Sequence, residues 1–180
     1  LVQSIRQIIL GQARVKEALT LTHTQVPDST QSFSQNRLLS TYDDVGVLQD
    51  AEDGDITYVD PLDGVTKTHR GTVAISRNSW GDLSRSLTTT DYDGGVLRAI
   101  GQVRPSRALT ITDTKGTLDP GIGHTEVMTR YSYDPIGRTL TSDQDQAARS
   151  TSFDGTSTIS RSGYHSDYGE VDLVLDGVTM

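Results

Sequence analysis

The chain has 180 residues, enough for one domain, and 33% of them are hydrophobic, 6% aromatic, with a formal net charge of −8. That balance disfavours nucleic-acid binding, because phosphate backbones are held by clustered Lys and Arg and no such patch occurs. The longest apolar run, Ile8-Ile9-Leu10, is far short of a membrane span, no basic-then-apolar leader opens the chain, and the absence of Cys excludes disulfides and thiol chemistry while leaving the redox compartment open.

From the N-terminus, Val2 to Leu21 reads as two strands broken at Gly11. β-branched Thr20, Thr22 and Thr24 alternate with Leu19, Leu21 and His23, which fits a pleated surface better than a helix interior. Pro27 to Ser32 reads as a loop, and residues 1–38 form an N-terminal β-rich flanking segment ahead of a repeat-like region over 39–180. Leu1 at the start and a strand-like run at Val171–Met180 make the chain read as an excerpt of a longer polypeptide.

Turn signals then recur. Tyr42-Asp43-Asp-Val-Gly46, Asn78-Ser-Trp-Gly81 and Asp113-Thr-Lys-Gly116 each place Asp or Asn first and Gly fourth. Asp50 to Ile56 concentrates hard oxygens around Gly54, but its spacing fails the EF-hand register, so an acidic hairpin turn is expected there and no metal. Tyr92-Asp93 runs directly into Gly94-Gly95. The clearest unit follows: Val127, Thr129, Tyr131 and Tyr133 alternate with Met128, Arg130 and Ser132 before Asp134-Pro-Ile-Gly137-Arg138. Asp134 can accept turn amides, Pro135 is preset for the second turn position, and Gly137 leaves without steric cost, so a type I turn and a return strand are expected. Phe153-Asp154-Gly155 and Asp176-Gly177 continue the series. Anchors at Asp43, Asp60, Asn78, Asp93, Asp113, Asp134, Asp154 and Asp176 fall 15 to 22 residues apart.

Tyr133-Asp-x-x-Gly-Arg-x-Leu140, Tyr42-Asp-x-x-Gly-x-Leu48 and Asp145-x-x-Ala148-x-x-Thr151-x-Phe153 resemble the RHS/YD repeat, most closely over residues 131–155. The match is weaker from Tyr42 to Gly116, where Val47 stands in place of the family's Arg, and residues 117–126 look inserted. The resemblance implies an all-β fold of consecutive antiparallel hairpins that spiral into a large sheet. It also implies a structural role: a shell segment of a secreted or cell-surface bacterial toxin, enclosing the toxin domain of the same chain. Its expected partners are neighbouring repeats and a secretion apparatus.

A carbohydrate-binding, adhesin-like β module is the alternative, with the seven tyrosines as a stacking platform. It would expose at least two of them in one groove, whereas a shell segment would bury them between repeats. Trp80, inside a turn motif, reads as a core plug. An enzyme is not expected: there is no G-x-S-x-G, no H-E-x-x-H and no phosphate loop, and His23, His69, His124 and His165 are scattered without a fixed-spacing partner. Asp134-Pro-x-Gly137 bears a faint likeness to the self-cleaving aspartyl boundary of some RHS proteins, yet the continuing Phe153-Asp154 unit favours an ordinary repeat. No cofactor is implied.

Overall fold

Period-2 alternation recurs along the chain, and the backbone answers it with strands. The computed structural model describes residues 1–117, 121–152, 156–168, 174–175 and 178–179. Its strands are β1 (Val2–Ile9), β2 (Gln12–Gln25), β3 (Gln31–Tyr42), β4 (Leu48–Asp53), β5 (Asp55–Val59), β6 (Thr66–Arg70), β7 (Thr72–Arg77), β8 (Leu83–Tyr92), β9 (Pro105–Lys115), β10 (Ile122–Tyr133), β11 (Thr139–Thr151), β12 (Ser157–Asp167), β13 (Val174–Leu175) and β14 (Val178–Thr179). A single short helix, α1 (Gly94–Ile100), separates β8 from β9. The fold is all-β: among the described residues an open antiparallel sheet of 10 strands runs β1-β2-β3-β7-β8-β9-β10-β11-β12, with β4 also on β3. β13 pairs with β14 in a separate ladder.

The opening stretch forms two strands that turn at Leu10-Gly11, with φ of 49° and 78°. The loop expected over Pro27–Ser32 is shorter, because Val26 and Thr30 close it by a backbone bond of 2.9 Å and β3 begins at Gln31. Position 38/39 lies inside β3, which pairs continuously with β2 from Gln31 to Leu39.

One strand position is filled twice. β3 pairs with β7 through Gln31–Asn36 and with β4 through Leu38–Tyr42, so β4 and β7 run end to end along the same side of β3. Between them the chain leaves at Gly54 and returns at Gly71, and the excursion is the β5–β6 hairpin, called the strap below. The hairpin turn expected at Asp50–Ile56 does not form, because β4 pairs with β3 and β5 with β6, and the segment is instead this exit point. Asp53 is 3% exposed and spans the seam to β8, accepting the Thr90 amide at 2.6 Å and the Tyr92 hydroxyl at 2.9 Å. A side chain thus supplies the bonds that a ladder would have made. Gly71, at φ 122°, is required there, since a Cβ would fall well inside contact with the Thr88 carbonyl oxygen.

The two sheet faces differ in chemistry. Residues in register across β2, β3, β7, β8, β9 and β10 give the rows Thr22-Ser34-Ala74-Ser86-Thr112-Thr125 and Thr24-Ser32-Ser76-Ser84-Thr114-Gly123 on one face. Hydroxyls bond to one another along it, as in Thr88 with Thr110 at 2.9 Å. The opposite face carries Val73, Ile75, Leu87, Arg85 and Asp113. This division explains how so few apolar residues suffice: the strap packs Ile56 and Tyr58 on Val73, Ile75 and Leu87. At one end of the hydroxyl face, α1 packs Leu97 on Leu48 and Ala51, beside Leu38, Tyr42, Tyr92 and Val103.

Leu97 is 1% exposed within this small cluster, so Leu97→Ala should cost about 2–3 kcal/mol in a urea melt. Ile5→Ala, at a residue 57% exposed on the edge strand β1, should change stability by less than about 0.5 kcal/mol.

Candidate functional site

The repeated turns share one local chemistry. At Asp43 the side-chain Oδ1 accepts the amides of Val45 at 3.1 Å and Val47 at 2.8 Å. Asn78 Oδ1 accepts those of Trp80 at 3.0 Å and Asp82 at 2.9 Å, and Asp134 Oδ1 those of Ile136 at 3.0 Å and Arg138 at 2.7 Å. Backbone bonds coincide as well. Gly46, Gly81 and Gly137 each donate to the carbonyl of their anchor, and each anchor amide donates to the carbonyl four residues on. The glycines sit at φ of 85°, 88° and 81°, a left-handed position that no other residue takes cheaply. This is a type I turn closed by a left-handed glycine, with an anchor oxygen bound to two amides that would otherwise be unpaired.

Asp134 is 9% exposed, and its Oδ2 also accepts Arg138 Nε at 2.6 Å. Burial alone would raise its carboxyl, but the Arg138 hydrogen bonds and charge, with the Ile136 amide, hold it below the ordinary aspartate range. Arg138 precedes β11 and is thus the Asp134 counterion before the return strand starts.

Two expected anchors behave differently. Asp93 opens no tight turn; its Oδ1 accepts the Gly95 amide at 2.8 Å and the Val96 amide at 3.0 Å and so caps α1. The same side-chain geometry starts a helix because Gly94-Gly95 is followed by helix-compatible Val96-Leu97-Arg98-Ala99, and the Asp93 amide still closes the excursion on the Arg104 carbonyl at 2.8 Å. Asp113 is not a turn residue. It lies within β9, opposite Arg85 on β8 and His124 on β10, and ion pairs to both fix it in the ladder. The turn begins later, at Gly116, whose amide bonds the Gly121 carbonyl at 3.1 Å. Asp60 anchors a turn one residue longer, with its amide on the Val65 carbonyl. Phe153, Asp154 and Asp176 lie outside the described residues.

Tyrosine marks a subset of the turns. Tyr42, Tyr92 and Tyr133 stand at the ends of β3, β8 and β10, and at each the strand register shifts by a bulge. Each hydroxyl reaches back to the preceding strand position of the sheet: Tyr42 to the Val15 carbonyl of β2 at 3.0 Å, Tyr92 to Asp53 of β4, which lies in line with β7, at 2.9 Å, and Tyr133 to the Pro105 carbonyl of β9 at 2.7 Å. β3, β8 and β10 are two strand positions apart and point the same way, so the three Tyr-Asp units form a row along one end of the sheet, about 10 Å apart. The irregular sequence intervals conceal this spatial period, because the strap lengthens one interval and α1 the next.

The other aromatics divide by position. Tyr58 is buried on the sheet-facing side of the strap, whereas Tyr164 and Tyr168, at the β12 edge, are 62% and 58% exposed. Trp80 is 70% exposed and is no core plug: like Val45 and Ile136 it holds the third turn position, which points away from the hairpin. An open trough of about 570 Å³ crosses β9 to β12 on the charged face, lined by Leu109, Glu126, Met128, Arg130, Asp145 and Arg161 among others, and no tyrosine lines it.

A second polar cluster was invisible in sequence. Asp60, 0% exposed at the strap tip, accepts Lys67 Nζ at 2.6 Å and pairs with Arg85. Arg85 also pairs with Asp113, and Asp113 with His124 Nδ1 at 2.7 Å. His124 is raised above its usual value chiefly by the Asp113 hydrogen bond. Arg85, Asp113 and His124 sit directly opposite on neighbouring strands, so only the register reveals them. His165 likewise faces and bonds Asp143. No group of three or more His, Cys, Asp or Glu able to hold a metal occurs among the described residues. Comparison of the chain with family models, curated proteins and solved structures finds no match.

Because its bond to Pro105 is the inter-strand clamp, Tyr133→Phe should cost about 0.5–1.5 kcal/mol in thermal or urea melts. Gly137→Val should cost more, about 1–3 kcal/mol, since a Cβ there meets Ile100 Cδ1 at 2.5 Å and the backbone is left-handed.

Proposed function

We propose that the chain is a structural wall segment of an RHS/YD-repeat protein, secreted or displayed at the bacterial cell surface, that surrounds and helps deliver a toxin region of the same parent polypeptide. The observation that carries this reading is the row of Tyr42-Asp43, Tyr92-Asp93 and Tyr133-Asp134 units, each tyrosine tied to the strand position before it in the sheet. A unit of that kind needs its predecessor for its own hydrogen bonds, which is the logic of a repeat wall in which each module is completed by a neighbour. Both outer strands support it too: β1 and β12 are nearly all exposed and leave a pairing edge that further hairpins would cover.

The adhesin alternative has less support. Its tyrosine platform would need exposed rings converging in one groove, whereas Tyr42, Tyr92 and Tyr133 spend their hydroxyls on neighbouring strands. A catalytic role for Asp134 likewise finds little support, because both its oxygens are engaged by turn amides and Arg138. No helix among the described residues is long and apolar enough to cross a membrane.

The test is limited proteolysis of the intact parent protein. The toxin region should resist a protease that rapidly cuts the same region expressed alone, and Tyr42→Phe/Tyr133→Phe should remove that protection. Equal cleavage of the region inside and outside the parent would contradict the shell role.

A further inference from the structure

We propose that the β5–β6 strap is a latch: a hairpin hinged at Gly54 and Gly71 that lifts from the sheet as a unit when the Asp60 carboxylate at its tip loses its charge, while the ten-stranded sheet stays folded. The inference goes beyond the wall-segment reading and does not depend on it.

Backbone connectivity permits the motion. The strap's ladder is internal, Asp55–Val59 against Thr66–Arg70, so lifting it breaks no strand pairing of the main sheet. The root is a single backbone bond, Gly71 amide to Gly54 carbonyl at 3.1 Å. Beside the hinge Arg37 Nη1 donates to the Asp55 carbonyl at 3.1 Å, Arg70 Nε to the Asp53 carbonyl at 2.9 Å and the Thr89 hydroxyl to the Arg70 carbonyl at 3.3 Å, and Arg70 pairs with Glu52; further out the strap is held by Ile56 and Tyr58 on Val73, Ile75 and Leu87, by a 3.2 Å contact of His69 Nε2 with the Thr88 carbonyl, and by Asp60.

The tip is the hold that can be switched. Of the groups around Asp60, Lys67 and Asp63 belong to the strap, so Arg85 of β8 is the ionic tie of the tip to the sheet, the Arg70–Glu52 pair lying at the hinge. Behind Arg85 stand Asp113 of β9 and then His124 and Glu126 of β10. This arrangement is asymmetric. When Asp60 becomes neutral, Arg85 keeps Asp113 and Lys67 keeps Asp63, so neither cation is stranded and the tie can release without leaving a buried unpaired charge.

Burial pushes the Asp60 carboxyl up, but the Lys67 hydrogen bond, the Leu62 amide and the Arg85 charge together hold it below the usual aspartate value. A lowered pKa means the hold is complete above the unfolded value, about 3.9, and is lost as pH falls through the lower folded one. His124 gains its proton on the same descent and tightens on Asp113, so it does not drive release. An isolated two-stranded hairpin is at best marginally stable in water, so a lifted strap will exchange its amides freely.

Hydrogen–deuterium exchange of the full chain, corrected for intrinsic rates, tests this. At pH 7, amides of residues 56–69 in Asp60→Asn should exchange at least about tenfold faster than in the wild type, with β8, β9 and β10 unchanged. The wild type should show the same selective loss as pH falls below the ordinary aspartate range, through the lowered Asp60 value. Undiminished strap protection in Asp60→Asn, or loss of strap and sheet protection together in the variant or in acid, would overturn the latch.

Discussion

The fold depends on one local interaction: a short Asp or Asn side chain accepting two amides of the turn it begins. Asp43, Asn78 and Asp134 each do this, and the bond does three things at once. It pairs amides that the tight turn would leave open, it brings a left-handed glycine to the fourth position, and it sets where the return strand begins. In a sheet with so little apolar surface, register must come from such fixed points, because a one-residue slip would exchange the hydroxyl face with the charged one. Tyrosine before the anchor extends the control from one hairpin to the next by binding the preceding strand.

Sparse hydrophobic packing is distributed to match. Instead of one central core, the sheet carries two small ones on opposite faces, beneath the strap and beneath α1. Both covering elements are insertions at points where the repeat pattern is interrupted. The strap enters where β4 and β7 share one strand position, and α1 grows from an anchor whose side chain would elsewhere make a turn. Cross-strand hydroxyl and ion pairs carry the remainder, as where Asp53 bridges the β4–β8 seam and Arg85 links β8 to β9 and the strap.

What the sequence disclosed follows from this division. All-β character, the strands on either side of Gly11 and the turns at Asp43, Asn78 and Asp134 rest on local signals, alternation and turn grammar, and each was legible. Asp113 was misread because Asp-x-x-Gly occurs by chance in an acidic chain, and only the facing Arg85 and His124 reveal a strand residue. Trp80 was misread because residue type suggested burial where turn position dictated exposure. The Asp60 cluster and the strap were illegible for a deeper reason: they depend on which strands become neighbours over separations of up to 28 residues, and nothing local encodes that. The two-strand spacing of the Tyr-Asp units was hidden likewise, by inserted elements that change sequence distance and leave spatial distance alone.

The central claim, that Tyr-Asp units set the register of alternate hairpins, is tested most directly by cross-strand nuclear Overhauser contacts in solution. Bulged pairings of Tyr42 with Leu48, Tyr92 with Pro105 and Tyr133 with Thr139 are expected, all at the same end of the sheet. Regular, unbulged pairing at two of these three sites, or their appearance at opposite ends of the sheet, would contradict the account.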